Sequence, residues 1–330
     1  MSSVARITIH SSQFPAQVRR DLLESLRTRR VNHKFHYDSI KQTQKWLALH
    51  EGFSPARTDA DCARIYDESF SATAEHLAAG KIHVIGLGCG GGQKDVRLLQ
   101  LLRESGKSVA YTPSDVSVGM VLVAKAAAAG IVDEQNCHPL VCDLATADDL
   151  ADVFDRRPHS DAARLITFFG MIPNFEPQLI LPRLASLVRA ADHLLFSANL
   201  APGTDYSAGV QRVLPLYDNS LTRDWLLTFL ADLGVERADG ELRFTIEDDP
   251  AGSRLKRIAV YFHFARARKI QLEGETFSFD AGENIRLFFS YRHTPGQVRG
   301  LLAQQQLDVI DQWIAKSGEE GVFLCRRTTA

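Results

Sequence analysis

The sequence predicts an α/β fold with an inserted α+β unit, and three observations carry that prediction. An apolar strand starting at His83 breaks into a loop with five glycines between positions 86 and 92, and an amphipathic helix follows. Further strand signals recur at Val109, Leu140, Leu165 and Leu194 with helical stretches between them, the pattern of βα units around a parallel sheet. Beyond Pro202-Gly203 the texture changes to helices followed by long alternating strands, which suits an antiparallel sheet outside the first unit.

Taken in order, the glycine loop lets the backbone come close to a ligand, because glycine accepts positive φ and presents no Cβ. Exposed N–H groups at the helix start can then line a nucleotide pocket. Val96, Leu98, Leu99, Leu101 and Leu102 form the apolar face of that helix, and Ser108 to Thr112 reads as a second strand ending at Ser114-Asp115. A carboxylate there can accept both hydroxyls of a ribose, at the strand ends where such ligands sit. Ser117 can cap the helix from Val118 to Ala128, which leaves Asp115 for the ligand. The third strand, Leu140-Val141-Cys142, ends at Asp143, and the fourth, Leu165 to Phe169, runs into Gly170-Met171-Ile172-Pro173-Asn174.

A glycine loop, an acid and an acid on three successive strand ends fit the cofactor half of an S-adenosylmethionine-dependent methyltransferase. The GxGxG spacing disfavours a nicotinamide cofactor, whose loop prefers GxGxxG, although the glycines alone do not exclude it. No lysine-serine pair follows the loop, which argues against a P-loop.

The later elements predicted are helices over Val210 to Leu216 and Leu221 to Leu233, and strands over Leu242 to Glu247, Ile258 to Phe264, Ile270 to Phe279 and Ile285 to Tyr291. A helix from Pro295 to Gln306 and strands at Leu307 to Trp313 and Gly321 to Arg326 return to the α/β pattern. The expected division is 63–203 with 290–330 as the cofactor-binding core, and 1–62 with 204–289 as a substrate-binding domain. Arg254, Lys256, Arg257, Arg266, Arg268 and Lys269 read as a solvated face, and Asp59 and Asp61 as stabilisers of a helix starting near Ala60.

Lys+Arg 38 against Asp+Glu 40 gives a net charge of −2, without the basic excess of a nucleic-acid binder. Five cysteines without regular spacing argue against a disulfide framework and for a reducing compartment. His33-x-x-His36 lacks further ligands nearby, so no metal is expected. The N-terminus lacks the basic-then-apolar run of a signal peptide, and no segment approaches the roughly 20 apolar residues of a membrane span. A cytoplasmic protein acting on a small molecule is expected, with no membrane or nucleic-acid partner.

Several segments together resemble the histidine-specific S-adenosylmethionine-dependent methyltransferases, a family that includes Nα-methylation of histidine in ergothioneine biosynthesis. They are Phe35-His36-Tyr37-Asp38, Pro55-Ala56-Arg57-Thr58-Asp59, Gly86-Leu87-Gly88-Cys89-Gly90 with Lys94, Pro113-Ser114-Asp115-Val116, Cys142-Asp143, Asn174, Tyr217-Asp218, and Ala281-Gly282-Glu283 leading to Ser290. Order and spacing are kept from Phe35 to Val298. The resemblance implies a Rossmann-like class I methyltransferase core with an inserted α+β substrate-binding domain. It further implies S-adenosyl-L-methionine held by Gly88 and Gly90 with Lys94, by Asp115 at the ribose, by Asp143 at the adenine amine, and by Tyr37 closing the site. For the methyl acceptor it implies Asn174 and Tyr217 at the α-amino and α-carboxylate groups, where they would align the amine, with Asp218 beside them as one receiver of its proton.

The chain departs from the family at four places. The glutamate that grips imidazole two positions before the serine is Phe288 before Ser290, and a tyrosine ahead of Pro55 is Ser54. Pro173 stands where glycine is usual before the asparagine, and Gly86 where an acidic residue is usual. An unpaired buried ring nitrogen costs about 1 to 3 kcal/mol, and phenylalanine cannot pair one. The expectation is therefore an α-amine of an L-amino acid or derivative other than histidine, with Phe288 and Val260 against an aromatic or aliphatic side chain. Two alternatives remain open: a biosynthetic amine or prenylated tryptophan as acceptor, or a cofactor-binding protein with degenerate activity.

Overall fold

The computed structural model describes residues 4–156 and 162–328. In chain order its strands are β1 (Thr8–Ile9), β2 (Lys81–Leu87), β3 (Ser108–Asp115), β4 (Leu140–Val141), β5 (Ala163–Phe168) and β6 (His193–Asn199). There follow β7 (Gly240–Asp248), β8 (Lys256–Phe264), β9 (Arg268–Leu272), β10 (Glu275–Phe279), β11 (Asn284–Arg292), β12 (Leu307–Ile314) and β13 (Glu320–Arg327). The central sheet has eight strands in the order β1-β4-β3-β2-β5-β6-β13-β12. The first six run parallel, and β13 and β12 add antiparallel edges.

Both faces of this sheet are covered, and β2 shows why. Every residue from Ile82 to Leu87 is buried. Ile82 and Val84 join one core with Leu98, Leu99, Leu165 and Leu195, while Ile85 and Leu87 join another with Ile166, Phe168 and Phe196. This is the period-two alternation of a strand with helices on both sides. Strand order reverses around β2, with β3 on one side and β5 on the other, so a crevice opens at its carboxyl end.

The helices flanking that crevice start where local chemistry dictates. The Ser117 side chain accepts from the Met120 amide at 3.2 Å and starts the helix Val118–Ala128. Asp59 accepts from the Asp61 amide at 2.8 Å and caps the helix Ala60–His76. A three-stranded antiparallel sheet, β7-β8-β11, lies outside the central one and packs Val260, Phe262 and Leu287 against Trp225, Leu226 and Phe229 of the helix Ser220–Asp232.

Three elements differ from the sequence expectation. The run Ile270 to Phe279 is a hairpin of β9 and β10, because Glu273 and Gly274 both take positive φ, at 53° and 84°, and turn the chain between them. Thr8–Ile9 pairs with β4 at the edge of the central sheet, and two residues are too few to show a period. Arg257 is not solvated: it is 4% exposed, with Glu176 at 3.0 Å and Glu247 at 3.1 Å. Arg266 is exposed, as expected, although it and Arg268 also reach the buried carboxylate of Asp239.

Among the described residues no helix is long and apolar enough to cross a membrane. The division into 63–203 with 290–330 and 1–62 with 204–289 is kept as a proposal, its outermost residues 1–3 and 329–330 lying outside the described part.

Candidate active site

The crevice at the end of β2 encloses a cavity of about 270 Å³. Its floor is the glycine loop, where Gly88, Gly90 and Gly92 take φ of 63°, 51° and 76°. Side chains rarely adopt these angles, and space forbids them as well. A Cβ on Gly88 would stand 2.5 Å from Cε of Met171, and one on Gly90 would stand 2.9 Å from Cη2 of Trp46. The loop is thus gripped between the turn after β5 and the helix Ile40–Phe53.

Asp115 ends β3 on the cavity wall, accepting from the Gly90 and Ser117 amides, each at 3.1 Å. Burial pushes its carboxyl up to about 6, against the pull of those amides. A carboxylate has roughly four acceptor positions, so capacity remains for a diol. Asp143, 3% exposed, also reaches the wall, where its Oδ1 accepts from the Ala145 amide and Lys34 Nζ lies 3.4 Å from its Oδ2. Lys34 pairs with Asp21 as well. Tyr37 lines the cavity between Trp46 and Trp225, and burial together with the Asp115 charge holds its hydroxyl protonated.

Lys94 belongs to a relay that sequence reasoning did not reach. Its Nζ donates to the Tyr66 hydroxyl at 2.6 Å, which in turn donates to Glu320, and Glu320 also faces the cavity. Tyr66 and Glu320 are 254 residues apart, and no motif joins them.

Asp95 fills the space beside Gly86. A Cβ on Gly86 would collide with Oδ2 of Asp95, so the carboxylate of the following helix occupies the room that an acidic side chain at 86 would need. The Tyr111 and Thr167 hydroxyls each donate to Asp95 at 2.7 Å, and burial pushes its carboxyl up to about 6.

Of the residues expected at the methyl acceptor, Asn174 ends the short turn after β5 and lines the cavity, as does Ser54. The remaining residues expected there do not reach the wall. Tyr217 donates or accepts at 2.7 Å with Ser290 and receives a hydrogen bond from Arg292 at 2.8 Å. Asp218 is exposed and clamped by Arg223 at 2.5 and 2.9 Å. Val260 is fully buried in β8. Alternation predicts one of Phe288 and Phe289 in the core, yet both are 7% exposed, because both faces of β11 are covered: Phe288 packs with Trp225 and Leu287, and Phe289 with Leu255, Ala259 and Tyr291. The cavity wall holds instead His33, which packs on Phe288 and which the sequence offered only as half of a weak histidine pair.

The sheet, its crevice and the loop-acid-acid order at the strand ends are those of a Rossmann-like S-adenosylmethionine-dependent methyltransferase. The family model described as histidine-specific methyltransferase, SAM-dependent, matches residues 18–327, and the chain belongs to that family. The histidine N-alpha-methyltransferase of Mycolicibacterium smegmatis is 27% identical over 281 residues, 83% of each chain. Among solved structures, the magnesium protoporphyrin IX methyltransferase of Synechocystis PCC 6803, with bound SAH, is 14% identical with a TM-score of 0.44, covering 89% of this chain and 98% of that one. The CcbJ methyltransferase of Streptomyces caelestis is 12% identical with a TM-score of 0.40, covering 80% and 90%. Both structural likenesses are too distant to bear on the site.

The cavity suits the family's cofactor. Bare backbone at Gly88 and Gly90, spare acceptor capacity on Asp115 and the Lys94 cation match a ligand that carries a ribose diol and a carboxylate.

Proposed function

We propose that the enzyme methylates the α-amine of an L-amino acid, or a close derivative, other than histidine. Phe288 carries this proposal: where the family has a carboxylate for imidazole this chain has an apolar ring, packed behind the cavity wall among His33, Trp225 and Tyr217. Gly88, Gly90, Lys94, Asp115, Asp143 and Tyr37 hold the cofactor, and Asn174 with Ser54 faces the acceptor. Tyr217 and Ser290 stand behind this wall and take part through the hydrogen bond that they share.

S-adenosylmethionine, when bound, supplies a methyl group already activated by a sulfonium. What remains for the protein is to align an unprotonated amine and to exclude competing nucleophiles. Asn174 orients the amine through its side-chain amide, and the proton leaves to water, since Asp218 is tied to Arg223. Five cysteines, none of them in a disulfide among the described residues, support a cytoplasmic location.

The test is incubation of the pure protein with S-adenosylmethionine and a panel of amino acids, read by mass spectrometry for gains of one, two or three methyls. Methylation of histidine as fast as the best substrate overturns the proposal. Stabilisation by S-adenosylhomocysteine with no amino acid methylated would instead mark a degenerate acceptor site.

A further inference from the structure

The turn His33–His36 brings an imidazole to the cavity wall against Phe288, the position that faces the acceptor's side chain in the proposed reading, and no role has yet been given to it. The His33 ring stands edge-on to Phe288, with centroids 5.2 Å apart, and to Phe289 at 4.9 Å. Phe288 continues to Trp225 at 5.7 Å and to Tyr217 at 6.3 Å. His33 lines the cavity and these four aromatic residues do not, so it forms the partition between them.

Both ring nitrogens are buried without a hydrogen bond of good geometry, with the Phe289 backbone as a polar neighbour, so what the cavity meets is not a nitrogen seeking a ligand. Burial lowers the basicity of this imidazole well below the usual histidine range, reinforced by His36 and Arg286, so the ring is neutral. It fills space on the aromatic side chains as an apolar plug would.

We propose that His33 closes the side-chain end of the acceptor site, and that the methyl acceptor therefore carries a compact side chain, of the size of alanine or serine. This rests on the amino-acid reading of the site given above. Asn174 fixes the backbone end of the acceptor, and His33 occupies the room through which a larger side chain would reach Phe288 and Phe289. Without the His33 ring, the cavity gains an opening of ring size lined by those two phenylalanines.

The experiment uses the full chain as wild type, His33→Gly and His33→Leu. Glycine, alanine, serine, leucine, phenylalanine and tryptophan are offered with S-adenosylmethionine, and free imidazole is titrated in a thermal-shift assay. The wild type should favour the compact acceptors over the aromatic ones by about tenfold or more in kcat/KM, the discrimination that a closed apolar pocket achieves. His33→Gly should narrow that preference by a similar factor and be stabilised by imidazole, whereas the wild type is not. His33→Leu, which refills the space, should keep the wild-type preference. Wild-type turnover of phenylalanine or tryptophan equal to that of alanine overturns the proposal, and so does a His33→Leu profile as relaxed as that of His33→Gly. Absence of imidazole stabilisation in His33→Gly overturns the plug itself. Imidazole stabilisation with no amino acid methylated by any of the three proteins keeps the plug but overturns the compact acceptor, and marks the amino-acid reading as the one that failed.

Discussion

The amide of Gly90 donates to Oδ2 of Asp115 at 3.1 Å, so the loop and the carboxylate at the end of the next strand form one cradle. Burial pushes the Asp115 carboxyl up to about 6. A ligand diol needs the ionised form, which accepts both hydroxyls. Affinity for S-adenosylhomocysteine should therefore be steady above about pH 7 and fall as pH drops through 6. Asp115→Asn should weaken binding by about 10- to 100-fold, from loss of hydrogen bonds to a charged group worth roughly 1.5–3 kcal/mol, and should flatten that pH dependence. Isothermal titration calorimetry between pH 5 and 8 checks both.

Asn174→Ala should act on the other side of the cavity. The acceptor KM should rise by about tenfold or more, for one lost hydrogen bond in a desolvated site. The dissociation constant of S-adenosylhomocysteine should stay nearly unchanged. Equal loss of both, measured side by side, would count against the assignment of Asn174 to the acceptor.

Gly86 and Asp95 compete for one volume. Gly86→Asp should destabilise the protein by about 1–3 kcal/mol or more, through overpacking and a second buried carboxylate. Adding Asp95→Ala should recover a large part of that loss, because the two substitutions meet in the same space. Urea unfolding of the two single variants and the double variant gives the coupling directly. Additive losses would show that the two sites are independent.

His36 and His293 are fully buried, and burial holds each near 4. Each lies below its unfolded value of about 6.5, so the stability it contributes, roughly 3 kcal/mol, is present above pH 6.5 and is lost on acidification toward 4. Asp95 and Asp115 have the opposite sign. Raised from 3.8 to about 6, each favours the folded state below 3.8 and loses that contribution as pH rises through 6. The two pairs offset each other, but His33 and His50 are lowered by burial as well, so the wild-type Tm should fall between pH 6.5 and 4. In Asp95→Asn one offset is gone, and calorimetry should show roughly 3 kcal/mol more stability lost across that window.

The cofactor half was largely legible in the sequence, because its signals are local. The helix Val118–Ala128 falls where its cap and apolar pattern place it, and the loop, Asp115 and Asp143 share one cavity. The acceptor half was not legible in the same way. The resemblance brought Tyr217, Asp218, Val260, Phe288 and Ser290 toward the site, but packing of β11 against the helix Ser220–Asp232 sets them behind the wall or away from it. His33 and Glu320 reach the cavity, and Tyr66 joins Lys94 to Glu320, only through contacts far apart in sequence, which no spacing rule detects. Arg257 was misread for the same reason, since Glu176 lies 81 residues away.

Lys34 and His33 are neighbours on one turn of four residues, and the Asn32 side chain pins that turn by accepting from the Lys34 amide at 3.1 Å. One neighbour faces Asp143 and the other faces the acceptor's side-chain end. The wall at Asp143 and the aromatic partition thus rest on adjacent residues of one short backbone segment, and a substitution that moves this turn disturbs both at once.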